Sequence, residues 1–149
     1  MNELILLAHV LFGMACLVAA VWVFVDALNV SEANQCRIRK VSCAAAGLMW
    51  LSFLIGGYWY VTFYKGDESA ILKGPWPFAH NFIMVTKAYL AIPLLATYLP
   101  IAASNNLSAN RAARRLVLWV TGMVVVLALV MDREGAIVAT GVELGLMAK

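Results

Sequence analysis

Two histidines are the residues of this sequence best suited to bind a metal or a cofactor. His9 lies in the apolar run that begins at Leu4, and His80 comes three residues after Pro77, where another apolar run begins. An ionisable side chain inside a run of membrane-spanning length is a functional candidate. Lys87 follows His80 by two helical turns, so both should lie on one helix face. We expect the ammonium group of Lys87 to bind a carboxylate of a cofactor (such as a haem propionate), a quinone oxygen or an acidic residue of another subunit.

The two imidazoles are predicted to lie at similar depth, roughly 7 Å and 5 Å below the outer boundary at about 1.5 Å per residue. A b-type haem takes one axial nitrogen from each side, which places the two nitrogens about 4 Å apart. We therefore predict one haem b between His9 and His80. Gly13, one turn after His9, leaves room for the flat ring, and Tyr58 and Trp59 supply a hydroxyl donor and an aromatic wall.

Copper is the alternative metal. Met84 lies one turn after His80, and Met14 lies near His9. Imidazole and thioether groups both suit copper. The three cysteines form no Cys-x-x-Cys pair, so the sequence indicates neither a zinc site nor c-type haem attachment.

The elements that must position these residues are membrane-spanning helices. Of the 149 residues, 64% are hydrophobic and 13% are charged, and the mean hydropathy is +0.86. Such a composition excludes an ordinary cytosolic domain, and there is no basic face for nucleic acid. A helix needs about 20 apolar residues to cross a bilayer, and the candidate spans lie at about 4–28, 41–64, 78–103 and 114–131. We predict one all-α domain, 1–149, an integral membrane four-helix bundle.

The positive charges predict the orientation of the bundle. The first and third connections are basic, whereas the two lysines of the second, 65–77, are offset by acids. Basic loops stay in the cytoplasm, so both termini are expected on the outer, periplasmic side of a bacterial inner membrane. The tail, 132–149, is too short in apolar residues to span, and we expect it on the outer surface or on a partner. The basic residues are Arg37, Arg39, Lys40, Arg111, Arg114 and Arg115.

The outline of the chain resembles the small haem-binding membrane proteins of the CopD and HemJ types. The matching residues are His9 at the start of the first span, the segment Trp76-Pro77-Phe78-Ala79-His80 at the start of the third, and Lys87 beyond it. The resemblance implies a haem-containing integral membrane protein. In the HemJ type, which is similar to protoporphyrinogen oxidases, the lysine follows the histidine more closely, so the resemblance does not carry that activity to this chain.

We therefore expect an electron-transfer component rather than a stand-alone enzyme, because no acid–base pair or nucleophile constellation is present. The expected partners are other membrane subunits of a redox complex, the lipid bilayer, and a quinone or a periplasmic electron carrier. Two alternatives stay open. One is a non-catalytic accessory or structural subunit of a membrane complex without a cofactor, and the other is a copper-binding membrane protein.

Overall fold

The computed structural model describes residues 2–85 and 90–148, and all regular secondary structure within these ranges is helical. The all-α prediction is therefore confirmed for this part of the chain. Three of the helices, α1, α2 and α4, are long and apolar enough to cross a membrane, as expected of an integral membrane protein. The helices are α1 (Asn2–Leu28), α2 (Glu32–Lys73), a π-helix (Ala79–Met84), α3 (Ala91–Ala103) and α4 (Arg111–Met147).

The structure describes two helices within the third predicted span, 78–103. This span contains the π-helix, the 13-residue α3 and, between them, residues 86–89, which lie outside the described ranges. Pro93 lies in the first turn of α3, where a missing N–H breaks no helical hydrogen bond, and Pro100 lies inside the same helix. A fourth span and the outward orientation of both termini stay predictions.

Helices α2 and α4 continue well beyond their apolar spans, which corrects one expectation. Residues 65–73 were expected in a loop but continue α2 as far as Lys73, because the first helix-breaking pair after the span is Gly74-Pro75. Residues 132–147, most of the predicted outer tail 132–149, continue α4 to Met147, and their location on the outer side stays a prediction. We call residues 65–84 and 132–147 together the platform.

The helices pack side by side in an antiparallel order around a core of small apolar residues. The side chain of Trp50 in α2 donates a hydrogen bond to Thr97 Oγ1 in α3, at 3.0 Å, and further back along α2 Arg39 reaches Ala103 at the end of α3. The middle of the core contains Cys16, Ala20, Ala45, Met49, Ile92, Ala96, Leu99, Val120 and Val124. At most 28% of the most apolar window of α1, α2 or α4 is buried, which leaves most of each span to contact lipid.

Two of the arginines expected in the cytoplasmic loops bind the ends of helices. Arg39 donates to the carbonyl oxygens of Ala103 and Ser104 at the C-terminus of α3, at 3.0 Å and 2.6 Å. Arg114 donates in the same way to Ala27 and Leu28 at the C-terminus of α1. These carbonyls have no partner within their helices and carry the negative end of the helix dipole. We call this end of the bundle the basic end.

Candidate functional site

The ring of His9 lies between α1 and α2 and is held by the backbone of α2. Its Nδ1 atom lies 2.7 Å from the carbonyl oxygen of Ser52 and 3.1 Å from the hydroxyl oxygen of the same residue. The Ser52 hydroxyl in turn donates to the carbonyl oxygen of His9 at 2.9 Å. Because a carbonyl can only accept, the short contact assigns the ring proton to Nδ1. The Nε2 atom then has a free lone pair, and the structure gives it no hydrogen-bond partner among the described residues.

Two glycines allow this close approach of the helices. A Cβ atom at Gly56 would lie 2.6 Å from Nδ1 of His9 and 2.7 Å from its Cε1 atom, so the ring fills the space that a side chain would need. A Cβ atom at Gly13 would lie 3.4 Å from the hydroxyl oxygen of Ser52. The sequence predicted that Gly13 makes room for a porphyrin, whereas the structure places it against Ser52.

The ring of His80 belongs to a different site, on the platform. Its Nδ1 atom lies 2.9 Å from the hydroxyl oxygen of Tyr64, and its Nε2 atom lies 3.5 Å from a carboxylate oxygen of Glu68. The rings of Tyr64 and His80 stack with their centroids 5.8 Å apart. Tyr64 is buried, the side chain of His80 is 15% exposed and that of Glu68 is 37% exposed. This phenol–imidazole–carboxylate chain thus leads from the protein interior towards solvent.

The structure does not bring the two histidines together. His9 contacts α2 at Ser52 and Gly56, whereas His80 contacts it at Tyr64 and Glu68. From Ser52 to Tyr64 is about 18 Å along a helix, at about 1.5 Å per residue, whereas two nitrogens on one iron lie about 4 Å apart. The prediction of similar depth took Pro77 as lying at the outer boundary. However, α2 continues to Lys73, beyond the predicted end of its span at position 64, so the next segment starts further out.

The other predicted site residues are distributed between these two places. Tyr58 is 57% exposed and packs edge-on against Phe63, so it is not a wall of a closed pocket. Trp59 packs against Tyr64, with ring centroids 5.7 Å apart, and so belongs to the platform. Lys87 lies outside the described residues. Tyr58 also lines an open apolar groove of about 460 Å³ on the side of the bundle, whose other lining residues are Leu4, Ile5, Ala8, Leu54 and Ile55.

The structure places the two methionines of the copper alternative in different parts of the fold. Met84 is buried in the platform core with Ile71, Ala79 and Val138, and Met14 is 47% exposed on α1. Within residues 2–85 and 90–148, no three side chains of His, Cys, Asp or Glu form a group that could hold a metal ion. A metal at His9 would therefore need further ligands from a cofactor or from another chain.

Three partners of the histidines, Ser52, Tyr64 and Glu68, were missed by reasoning from the sequence. Ser52 and Gly56 form a small-xxx-small pair inside the second apolar run, which is a known signal for close helix packing in membranes. Tyr64 was assigned to the end of the second predicted span, 41–64. Glu68 was assigned to a loop, and its position near His80 follows only from the continuation of α2.

The two sites differ in the chemistry they allow. At His9, the Nδ1–H donor is fixed on a carbonyl and Nε2 is left as a ligand atom, which is the usual arrangement of metal-binding histidines. At His80, both nitrogens are engaged, and the chain of protic groups is arranged to hold or move a proton. No family model, no curated protein and no solved structure matches this chain, so these geometries carry the functional argument alone.

Proposed function

We propose that this protein is a membrane electron-transfer subunit that binds one b-type haem through Nε2 of His9. The observation that carries the proposal is the 2.7 Å contact between Nδ1 of His9 and the carbonyl oxygen of Ser52. A ligating histidine almost always donates its second N–H to a carbonyl or carboxylate, because this fixes the tautomer and the ring orientation. A haem supplies an iron that gains and loses a single electron, and the axial ligand and its surroundings set its potential.

The proposal assigns a single axial ligand to this chain. His80 is too far along α2 to share an iron with His9, and its two nitrogens already face Tyr64 and Glu68. The second axial position then belongs to a neighbouring subunit, which is why we place the chain in a larger redox complex. In that complex it exchanges electrons with a quinone or a periplasmic carrier.

The decisive experiment compares the two histidines. The protein is purified from its native membrane, and iron, copper and the reduced-minus-oxidised absorption spectrum are measured for the wild type, His9→Ala and His80→Ala. We expect a haem b spectrum in the wild type and in His80→Ala, and its loss in His9→Ala, with helical circular dichroism retained in all three. Loss in both variants would instead support a haem shared by the two rings. Copper without iron supports the copper alternative, and a wild type without either metal overturns the proposal.

A cofactor-free accessory subunit is the second candidate, and the platform favours it. Residues 132–147 extend about 24 Å beyond the apolar part of α4, yet Leu146 is 56% exposed and Met147 is 72% exposed there. On α2 and its loop, Leu72 and Trp76 are also exposed. Large apolar side chains beyond a membrane span are typical of contact surfaces with another protein. Both candidates place the chain in a membrane complex, and the metal measurements separate them.

A mass measurement tests the assembly. In mild detergent, the protein from native membranes should run well above the size expected for 16.2 kDa plus detergent. Leu146→Glu should shift it to the monomer size, whereas Glu143→Gln, a charge change on the same helix turn, should not. A wild type that runs as a monomer and keeps its activity counts against any subunit role.

A further inference from the structure

An apolar groove runs along the outside of the bundle between α1 and α4. Phe24 of α1 and Trp119, Gly122 and Val126 of α4 line it, and its volume is about 530 Å³. A Cβ atom at Gly122 would lie 3.8 Å from the ring of Phe24, so the missing side chain opens the floor of the groove to that ring. The α4 lining covers positions 118–127, about 14 Å along the helix. The groove is therefore long, narrow and apolar, and it lies in the span of α4.

Two arginines lie at the end of this groove nearest the basic end. Arg111, Arg115, Trp119 and Gly122 recur every three or four residues, so they share one face of α4. Both arginines are exposed, and neither forms an ion pair or a hydrogen bond within the part of the chain that the structure describes. Arg114 differs from them, because it binds the carbonyl oxygens at the end of α1.

We propose that the groove binds one anionic phospholipid, with its phosphate on Arg111 and Arg115 and one acyl chain against Trp119 and Gly122. This inference goes beyond the proposed haem function and does not rest on it. Guanidinium groups bind phosphate through paired N–H donors. The first turn of α4 starts at Arg111 and adds the positive end of its dipole. A zwitterionic lipid carries its own ammonium group, so the two arginines favour a lipid with net negative charge.

The distribution of charge supports this occupant over a protein partner. The walls of the groove are apolar, which suits an acyl chain. The unpaired positive charges of Arg111 and Arg115 lie only at one end of the groove, which suits a phosphate. The other arginines of the basic end are engaged within the chain, since Arg37 binds Asp26 at 2.8 Å and Arg39 binds the end of α3. Trp119 is 73% exposed, and in the proposed complex its ring packs against the acyl chain of the lipid.

The test uses the whole protein, stripped of lipid in detergent and titrated with phosphatidylglycerol or phosphatidylcholine that carries bromine on an acyl chain. Bromine quenches tryptophan fluorescence on contact, so Trp119 reports occupancy, and Trp119→Phe identifies its share of the signal. We expect phosphatidylglycerol to bind more tightly than phosphatidylcholine. The double variant Arg111→Gln/Arg115→Gln should weaken phosphatidylglycerol binding at least about tenfold, as the loss of charge-assisted hydrogen bonds implies.

Two controls separate the groove from general charge and from folding. Lys40→Gln removes a positive charge at the same end of the bundle, on α2, which does not line the groove, and it should leave the affinity within about twofold. Gly122→Leu should fill the groove and abolish quenching by both lipids. Equal affinity of the wild type for the two lipids, or an unchanged affinity in the double arginine variant, overturns the proposal. His9→Ala should bind phosphatidylglycerol normally, so a failed haem assignment leaves this test intact.

Discussion

Adjacent glycines of α2 provide the sharpest test of how His9 is held. A Cβ atom at Gly56 would lie 2.6 Å from Nδ1 of His9, whereas one at Gly57 would meet nothing within 4 Å. Both positions are helical, so both alanine substitutions gain the same helix propensity. Only the first must move the imidazole, by about 0.8 Å if the contact is to relax from 2.6 Å to 3.4 Å. That displacement stretches the 2.7 Å contact to the carbonyl oxygen of Ser52 beyond good hydrogen-bond length.

The magnitudes follow from these distances. Gly57→Ala should stabilise the protein by up to about 1 kcal/mol, because alanine loses less backbone entropy than glycine in a helix. Gly56→Ala has the same gain but loses a hydrogen bond worth about 1 kcal/mol and forces an overpacked ring, which costs about 1–3 kcal/mol. We therefore expect a net loss of about 1–3 kcal/mol for Gly56→Ala, and a difference of about 2–4 kcal/mol between the two variants.

The assay is unfolding by dodecyl sulfate in mixed micelles, followed by far-ultraviolet circular dichroism. The same pair is also made in the His9→Ala background, where the ring that Gly56 accommodates is gone. In that background Gly56→Ala should become as favourable as Gly57→Ala. If the two alanine variants are equally stable with His9 present, or if Gly56→Ala is still destabilising without the ring, the proposed close contact is not what holds the helices. In haem-loaded protein, Gly56→Ala should also shift the spectrum, and Gly57→Ala should not.

Two further predictions concern the two ends of the bundle. A Cβ atom at Gly145 would overlap a backbone carbonyl of α2, so Gly145→Ala should loosen the end of α4 and increase hydrogen exchange over 132–147 at least about tenfold. Gly135→Ala, at a position with open space, should slow it, and equal exchange in both variants contradicts the packing. At the basic end, Arg39→Gln removes the cap of α3 and should lower stability by about 1–2 kcal/mol. Lys40→Gln should change it by less than about 0.5 kcal/mol, and equal effects would show that Arg39 acts only through its charge.

The membrane class of the protein could be predicted from the sequence because it depends on a bulk property. Long runs of uncharged apolar residues predict membrane-spanning helices, and α1, α2 and α4 are long and apolar enough to cross a membrane. The ends of the helices were harder to predict, because the charged residues and the glycine at 65–68 give this stretch the composition of a loop. Whether such a stretch stays helical depends on what it packs against, and here Ile71 and Ala79 lie against Gly141 of α4. Only the stop at Gly74-Pro75 was visible in the sequence.

The error in the relative depth of the histidines has the same origin. The depth of each histidine was estimated by counting residues from the start of its apolar run. This method assumes that all runs begin in the same plane, which is true only if the helices have matching ends. Here α2 is 42 residues long and α1 is 27 residues long. The C-terminal end of α2, where the chain turns towards His80, therefore lies further along the bundle axis than any residue of α1. Residue type indicated that each imidazole is functional, but only the packing of the longer helix decides which groups they meet.

The surroundings of His9 argue for a chemical role rather than a packing role. A seam of small residues between α1 and α2 could be filled by an apolar side chain, which would contribute burial without the cost of desolvating a polar ring. The structure instead has an imidazole whose Nδ1 proton is fixed on a backbone carbonyl and whose Nε2 atom has no partner among the described residues. Packing alone does not require a defined tautomer, whereas a ligand or a base does. At His80, by contrast, both nitrogens already face protein groups, so neither nitrogen is left as a ligand atom.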